Sequence, residues 1–337
     1  MGARLAPARR MPSIPPRIAR ADERDRSTVL TLLAEHTPGA DVARRHAWLY
    51  ESNPHGRAVT FLAFDEGGTP MGLTSLFPRR VVVKGEVRLG AIGGDGYVRP
   101  AFRRRGVATA LHRACLALME ESLRSGAGVE FMYGGPEPNN LVALERAGSR
   151  TITRLRRYSR SGPLQTIFRL GGAMRGRSRT RLVALEGADA RVGEVFASAA
   201  AGAAILPVRD PEQYAWRFRT PSRAQQPFAV MEGDAVTAIC ALERKGTQVA
   251  VIDFLAPRDG WSATLRGAAN AAGGEALTTI TTDGSPSAID LLYAGFVPRE
   301  GKGFQVLAPI DHPALPTLLD PASWHYVWAD GDLDHVL

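Results

Sequence analysis

Apolar and polar positions change period several times along the 337-residue chain, and each change marks an element. Residues 16–20 alternate as a short strand. Asp22 then stands as a helix cap ahead of Val29, Leu30, Leu32 and Leu33, which recur at helical spacing to about residue 35. A second helix is predicted over 41–51, opened by Asp41, carrying Ala43, Trp48 and Leu49, and closed by Asn53-Pro54. The runs 58–65 and 71–77 flank Glu66-Gly67-Gly68-Thr69-Pro70 and read as a hairpin. Residues 79–84 prolong its second strand, and Gly85 turns it into a strand over 87–98. A helix over 106–124 lines up Val107, Leu111, Cys115, Leu118 and Met119 on one face. A compact strand at 129–133 is broken by Gly134-Gly135-Pro136-Glu137-Pro138. Asn139 or Asn140 caps a short helix that ends at Gly148, and a strand at 151–158 follows.

A meander followed by β-α-β-α-β predicts a mixed sheet with helices on its faces, an α/β fold of α+β type. The second half repeats the plan. Ala47-Trp48-Leu49-Tyr50 matches Ala215-Trp216-Arg217-Phe218, and strands are expected at 228–231, 235–242, 249–254 and 277–281, with helices at 261–272 and 286–293. Leu292-Tyr293-Ala294-Gly295-Phe296 echoes the helix end at residues 144–149. Two tandem copies of one domain are therefore expected. The organisation predicted is a disordered leader over 1–14 (with Met11 as an alternative start), a first domain over 15–160, a basic linker over 161–180, a second domain over 181–310, and a docking tail over 311–337. Ser323–Trp328 is expected to form an aromatic strand within that tail.

The chemistry concentrates between the strand 87–98 and the helix that follows. Val98-Arg99-Pro100-Ala101-Phe102-Arg103-Arg104-Arg105-Gly106-Val107-Ala108 is an Arg- and Gly-bearing turn at a helix start. The first amides of a helix have no intrahelical acceptor, and the dipole adds ~0.3–1 kcal/mol for an anion. Gly106 lets backbone approach a phosphate, Ala108 is small for the same purpose, and Arg103, Arg104 and Arg105 supply charge. Three arginines at a helix N-terminus oppose the dipole unless an anion lies there. Gly90, Gly93, Gly94 and Gly96 weaken the preceding strand, which points to a bulge or to close approach of a ligand.

The pattern Val98-x-Pro100-x-Phe102-Arg103-x-x-Gly106-Val107-Ala108-x-x-Leu111 resembles the cofactor motif of the GNAT (Gcn5-related) N-acetyltransferase superfamily. The resemblance spans 15–160 by element order; over about 180–310 it rests on element order alone, so the plan looks like a tandem GNAT protein whose first copy alone keeps the loop. It implies acetyl-CoA as cosubstrate, no metal, and an acyl-pantetheine lying between strands 87–98 and 129–133 where they splay. The loop residues Arg103 to Ala108 would then hold the pyrophosphate, and amides near Tyr97 and Val98 the pantetheine. Asn140 would touch the coenzyme arm, with helix capping as the competing role for Asn139 and Asn140. Amine acylation needs a base and an acid. Asp95 is the candidate base, with local amide bonding as its alternative and with Glu130 and Glu137 as further candidates. The family's usual acid, a tyrosine, falls on Leu144, so Tyr133, Tyr97 or water would replace it. His112 is read as surface or packing. Ala256-Pro257-Arg258-Asp259-Gly260-Trp261 occupies the loop position of the second copy and lacks the pattern, which implies no coenzyme there.

Composition narrows these readings. No run of about 18 apolar residues exists to span a membrane, and the basic N-terminus has no apolar centre. Cys115 and Cys240 are isolated, as in a reducing cytoplasm, and neither they nor the seven histidines show metal spacing. The net charge is +8, and no acidic residue lies between Glu145 and Glu186 while arginines crowd 154–181. That block reads as a solvated linker or as an anion-attracting face; it leaves nucleic acid open without favouring it. The expected function is a cytoplasmic N-acetyltransferase acting on a small-molecule or protein amine, with a homodimer compatible. The alternatives are a binding protein that kept the fold and lost the chemistry, and a transferase using a longer acyl-CoA or an aminoacyl-tRNA, as Fem-like peptidyl transferases do.

Overall fold

The structure, a computed structural model, describes residues 15–161, 180–219, 225–259, 261–273 and 276–331. The leader and nearly all of the predicted linker lie outside the described residues. In the first half, β1 (Arg17–Arg20), α1 (Arg26–His36) and α2 (Val42–His46) precede the meander β2 (Val59–Phe64), β3 (Pro70–Val83) and β4 (Glu86–Val98). Then come α3 (Val107–Ser125), β5 (Phe131–Gly134), α4 (Pro138–Arg146) and β6 (Arg150–Ser161). The second half repeats this order: β7 (Thr180–Ala184), α5 (Ala190–Ala200), β8 (Ile205–Pro207), α6 (Pro211–Arg217), β9 (Gln225–Glu232), β10 (Ala235–Lys245), β11 (Gln248–Leu255), α7 (Trp261–Ala272), β12 (Ala276–Thr282), α8 (Pro286–Tyr293) and β13 (Val297–Leu307). Only β8, which pairs with β3 of the first half, has no counterpart there.

Local chemistry accounts for the helix starts. Asp22, Asp41, Asp189, Asp210 and Ser285 each accept a backbone N–H at the first turn that follows them. The predicted helix 41–51 is α-helical only to His46 and continues as a π-turn over Ala47–Glu51. That widened turn places Trp48, Leu49 and Tyr50 all in the core.

The sheet order is β1-β2-β3-β4-β5-β13-β6-β12-β11-β10-β9-β7. The last strand of each half has crossed into the other: β13 lies between β5 and β6, and β6 between β13 and β12. Sequence reading missed β13 because Pro298, Arg299, Glu300, Gly301, Lys302 and Gly303 break any apolar alternation. The same exchange corrects the reading of the arginine block's first part as linker. Arg154 to Arg160 belong to β6, where Arg156 pairs with Asp283, Arg157 with Glu300, and Arg160 is fully buried.

One apolar core joins the halves, containing Leu32, Trp48 and Tyr133 of the first and Val192, Tyr214 and Ile252 of the second. The duplicated Ala-Trp motifs meet at its centre. Trp48 and Trp216 stack at 5.1 Å, and each indole N–H donates to the other's carbonyl at 3.1 Å. Trp216→Ala removes one stacked ring and the indole bond to the Trp48 carbonyl, leaving the backbone acceptor of the Trp48 indole in place, and is expected to cost about 3 kcal/mol in denaturant unfolding; a cost below 1 kcal/mol would show that the junction does not rest on this pair.

The tail docks, but not as a strand. Trp324 makes an isolated bridge to Ile205, and 3-10 turns occupy Pro321–Ser323 and Trp328–Asp330. Buried Arg209 holds Asp253 at 3.1 and 3.2 Å and Asp330 at 2.7 Å, while Arg79 and Arg217 donate to the Ala329 carbonyl. A further hydrogen-bonded contact ties the halves. His55 has a fully buried side chain, its Nδ1 accepts the Arg80 amide at 3.1 Å, and its Nε2 lies 3.3 Å from Asp210 Oδ2. Burial, reinforced by Arg79, pushes its pKa from 6.5 down to about 3. An unfolded chain takes up this proton as pH falls through 6.5, and the folded one refuses it down to about 3. Stability from this site is therefore full above pH 6.5 and is lost as pH falls toward 3. His55→Gln should flatten that part of the Tm–pH profile; an unchanged slope would assign it to other groups.

Candidate functional site

Strands β4 and β5 run parallel and pair at Gly90–Phe131, Ala91–Met132 and Ile92–Tyr133. Beyond Ile92 no pairing between them continues, and the remainder of β4 forms one lip of a notch whose other side is reached by α4. Small residues are required at the start of the divergence. A Cβ on Gly90 would lie 2.7 Å from the Phe131 ring, so the approach there is kept by glycine; one on Gly93 would lie 2.4 Å from Met132 Sδ and would push that side chain aside. The bulge expected from the glycines is present. The β3–β4 register slips between Leu73–Tyr97 and Ser75–Gly94, and Asp95 takes φ +50°.

The slip sets which amides face the notch. The Arg99 amide donates to the Met71 carbonyl at 2.9 Å. By the alternation of an antiparallel ladder, the Tyr97 amide then points to β3 and the Val98 amide to the notch side. Of the two amides expected there, Val98 alone is so directed. The Tyr97 side chain goes elsewhere, with its hydroxyl 3.4 Å from Glu35 and its ring against His36.

At the end of β4 the chain makes a 3-10 turn over Pro100–Phe102, and Arg104 and Gly106 both adopt left-handed conformations, φ +61° and +81°. Gly106 is the N-cap of α3, and the first intrahelical bond runs from Ala110 to the Gly106 carbonyl. The amides from Arg104 to Thr109 donate to no acceptor among the described residues. They form a run of donors beside the mouth of the notch. The three arginines divide their work. Arg103 Nε donates to the Val98 carbonyl at 2.9 Å and so braces the loop, and Arg105 lies over the Phe102 ring at 5.7 Å. Arg104 is exposed on its left-handed residue.

Asp95 faces the α1–α2 side of the sheet. Its Oδ2 accepts the Tyr50 hydroxyl at 2.6 Å and pairs with Arg45, whereas Oδ1 accepts no hydrogen bond among the described residues. Tyr50 stays protonated because burial, aided by Asp95, raises its pKa, and its oxygen accepts from Ser75 at 3.2 Å. Local amide bonding, the alternative role for Asp95, is not what the structure has. Arg45 and Tyr50, which sequence reading missed, sit five residues apart across the α2–π-turn junction; nothing local in sequence connects them to residue 95.

Two expectations are corrected. Tyr133 does not face the notch: its ring is 1% exposed among Phe304, Trp324 and Tyr326, and burial raises its pKa. A group so enclosed cannot meet a leaving thiolate. Nor does Asn139 or Asn140 cap α4. The N-cap is Glu137 with Pro138 at N1, and proline's fixed φ sets the start two residues early. Asn140 instead points at β4, with its Nδ2 3.3 Å from the position of a Cβ on Gly96. Glu130 pairs with Arg88 and His312, and Glu137 with Lys302, so neither alternative carboxylate joins Asp95.

The equivalent region of the second half is closed. Beyond the β11–β12 pairing, Thr279 Oγ1 donates to the Val251 carbonyl at 2.9 Å. At the start of α7, Trp261 is buried against Phe254 and Arg258 pairs with Asp290.

Residues 27–145 match the model of the acetyltransferase (GNAT) family. No curated protein matches the chain in sequence. Among solved structures, it is similar to a GCN5-related N-acetyltransferase from Anabaena variabilis, at 12% identity and TM-score 0.64, covering 86% of this chain and 72% of that one. It is also similar to a probable N-acyltransferase from Enterococcus faecalis, at 11% identity and TM-score 0.65 over 87% and 72%. An N-myristoyltransferase from Saccharomyces cerevisiae with bound myristoyl-CoA matches at 12% identity and TM-score 0.54 over 90% and 82%. At these identities the likeness is one of fold. The fold is that of GNAT acyltransferases, and no helix among the described residues is long and apolar enough to cross a membrane.

Proposed function

We propose that the protein is a cytoplasmic N-acetyltransferase that moves an acetyl group from acetyl-CoA to a primary amine. The observation that carries this reading is the run of free amides from Arg104 to Thr109 at the mouth of the β4–β5 notch. Those amides, with Arg104, would hold the coenzyme pyrophosphate, and the Val98 amide would meet the pantetheine. Asp95 Oδ1 would take the proton of the ammonium, with Arg45 and Tyr50 fixing the carboxylate through Oδ2. The amine nitrogen then adds to the thioester carbonyl, the carbon–sulfur bond breaks, and water reprotonates the thiolate. The blocked loop and closed notch of the second half support one coenzyme site per chain.

A donor with a longer chain is the second reading, favoured by the fold shared with a structure holding myristoyl-CoA. One experiment separates the readings. The protein is titrated calorimetrically with acetyl-CoA and myristoyl-CoA, then incubated with each and a panel of amines while free thiol is followed. Acetyl-CoA binding with amine-dependent thiol release is expected. Turnover with myristoyl-CoA alone would transfer the proposal to long chains, binding without turnover would make the protein a binding module, and no binding would remove the site.

A further inference from the structure

His112, one and a half turns into α3, is a side chain the reaction above leaves unused. Its ring is 4% exposed, an unusual place for a histidine on a helix that otherwise buries Val107, Leu111, Cys115 and Met119. Nδ1 has no partner, and Nε2 lies 3.0 Å from Asn140 Oδ1. Burial lowers its pKa, so the ring is neutral and carries a single proton. On Nδ1 that proton would be a buried donor with nothing to accept it; on Nε2 it meets the Asn140 oxygen. A buried orphan N–H is tolerated less well than an orphan acceptor, so the proton belongs on Nε2. This choice fixes the amide as well. Asn140 turns its oxygen to His112 and its NH2 to β4, beside Gly96, where Nδ2 has no acceptor among the described residues. Gly96 is itself exposed and stands on the lip of the notch between the apex at Ile92 and the loop at Gly106.

We infer that His112 is a positioning residue: it locks the Asn140 amide so that its NH2 donates to a carbonyl oxygen of the pantetheine arm as that arm passes Gly96. The inference rests on the coenzyme reading above and adds to it a buried hydrogen-bonded pair that selects a ligand carrying an amide carbonyl between pyrophosphate and thioester. A freely rotating amide would offer donor or acceptor equally. With His112 in place, it offers only the donor.

The test uses two probes on the full chain, coenzyme A and ADP, which shares the pyrophosphate but has no pantetheine. Asn140→Leu and His112→Leu should each weaken coenzyme A by about three- to tenfold, the loss of one hydrogen bond, and leave ADP affinity unchanged. The double variant should lose no more than either single one, because the two residues act as a unit. His112→Gln, which keeps a side-chain amide donor of similar reach, should restore coenzyme A affinity. Unchanged coenzyme A affinity in Asn140→Leu, additive losses in the double variant, or no rescue by glutamine would each overturn the inference. If the unaltered protein binds neither probe, the coenzyme reading itself has failed. Loss of ADP affinity in the single variants would mean that the pair merely supports α3, which also overturns a role directed at the pantetheine.

Discussion

Replacing Gly106 by glutamate is expected to abolish coenzyme A binding while the protein stays folded. The residue sits at φ +81° as the N-cap of α3, with nothing within 4 Å of where a Cβ would be. A side chain therefore meets open space, and the cost to stability is the left-handed backbone alone, about 1–2 kcal/mol. The effect on binding is much larger. The new carboxylate competes for the same amides from Arg104 to Thr109 and repels the pyrophosphate, and losing two or three charge-assisted bonds weakens binding by about a hundredfold or more. Calorimetry checks the affinity and thermal unfolding checks the fold. Gly106→Ala, which has the strain without the charge, should bind within about tenfold of the unaltered protein. Retained binding in the glutamate variant would remove the loop from the site.

Asp95→Asn is expected to lower turnover by about a hundredfold or more, the usual contribution of a positioned base. An asparagine still accepts the Tyr50 hydroxyl, so the bulge at φ +50° and the coenzyme lip on β4 should survive, and coenzyme A affinity with them. The substitution also replaces the carboxylate that pairs with Arg45, whose side chain is 17% exposed, by a neutral amide, so a fall in Tm is expected as well. The variant Arg45→Gln separates the two effects: it should share the fall in Tm and keep most of the turnover. Unaltered turnover in Asp95→Asn would show that the carboxylate only anchors the π-turn to the bulge.

The parts of this architecture visible in sequence are those in which local pattern and tertiary demand agree. The caps at Asp22 and Asp41, the amphipathic face of α3 and the glycines of β4 each state their own reason. The geometry of the loop was legible because a run of unpaired amides at a helix start comes from neighbours in sequence. The surroundings of Asp95 were not, because Arg45 and Tyr50 come from a turn whose widened geometry has no sequence signature. Tyr133 shows the opposite failure. Alternation assigns a strand residue to a face but does not say what covers that face, and here the tail's Trp324 and Tyr326 do. His112, read as surface or packing, is buried; its contact with Asn140 was not foreseen because the two lie 28 residues apart on different helices.

The exchange of β6 and β13 gives the site a history in time. The proposed coenzyme notch is built on β5, a four-residue strand held on one edge by β4 and on the other by β13. Tyr133 and Val306 face each other in that pairing, so the strand that braces β5 is synthesised only after most of the second half. Until it arrives, β5 has an open edge, and the notch has one fixed wall. Contacts so distant in sequence form slowly and leave edges exposed while they wait. The synthesis of the whole second half thus becomes a delay before the proposed coenzyme notch is complete. The degenerate copy, which has no open notch of its own, acts as the clasp that completes the other.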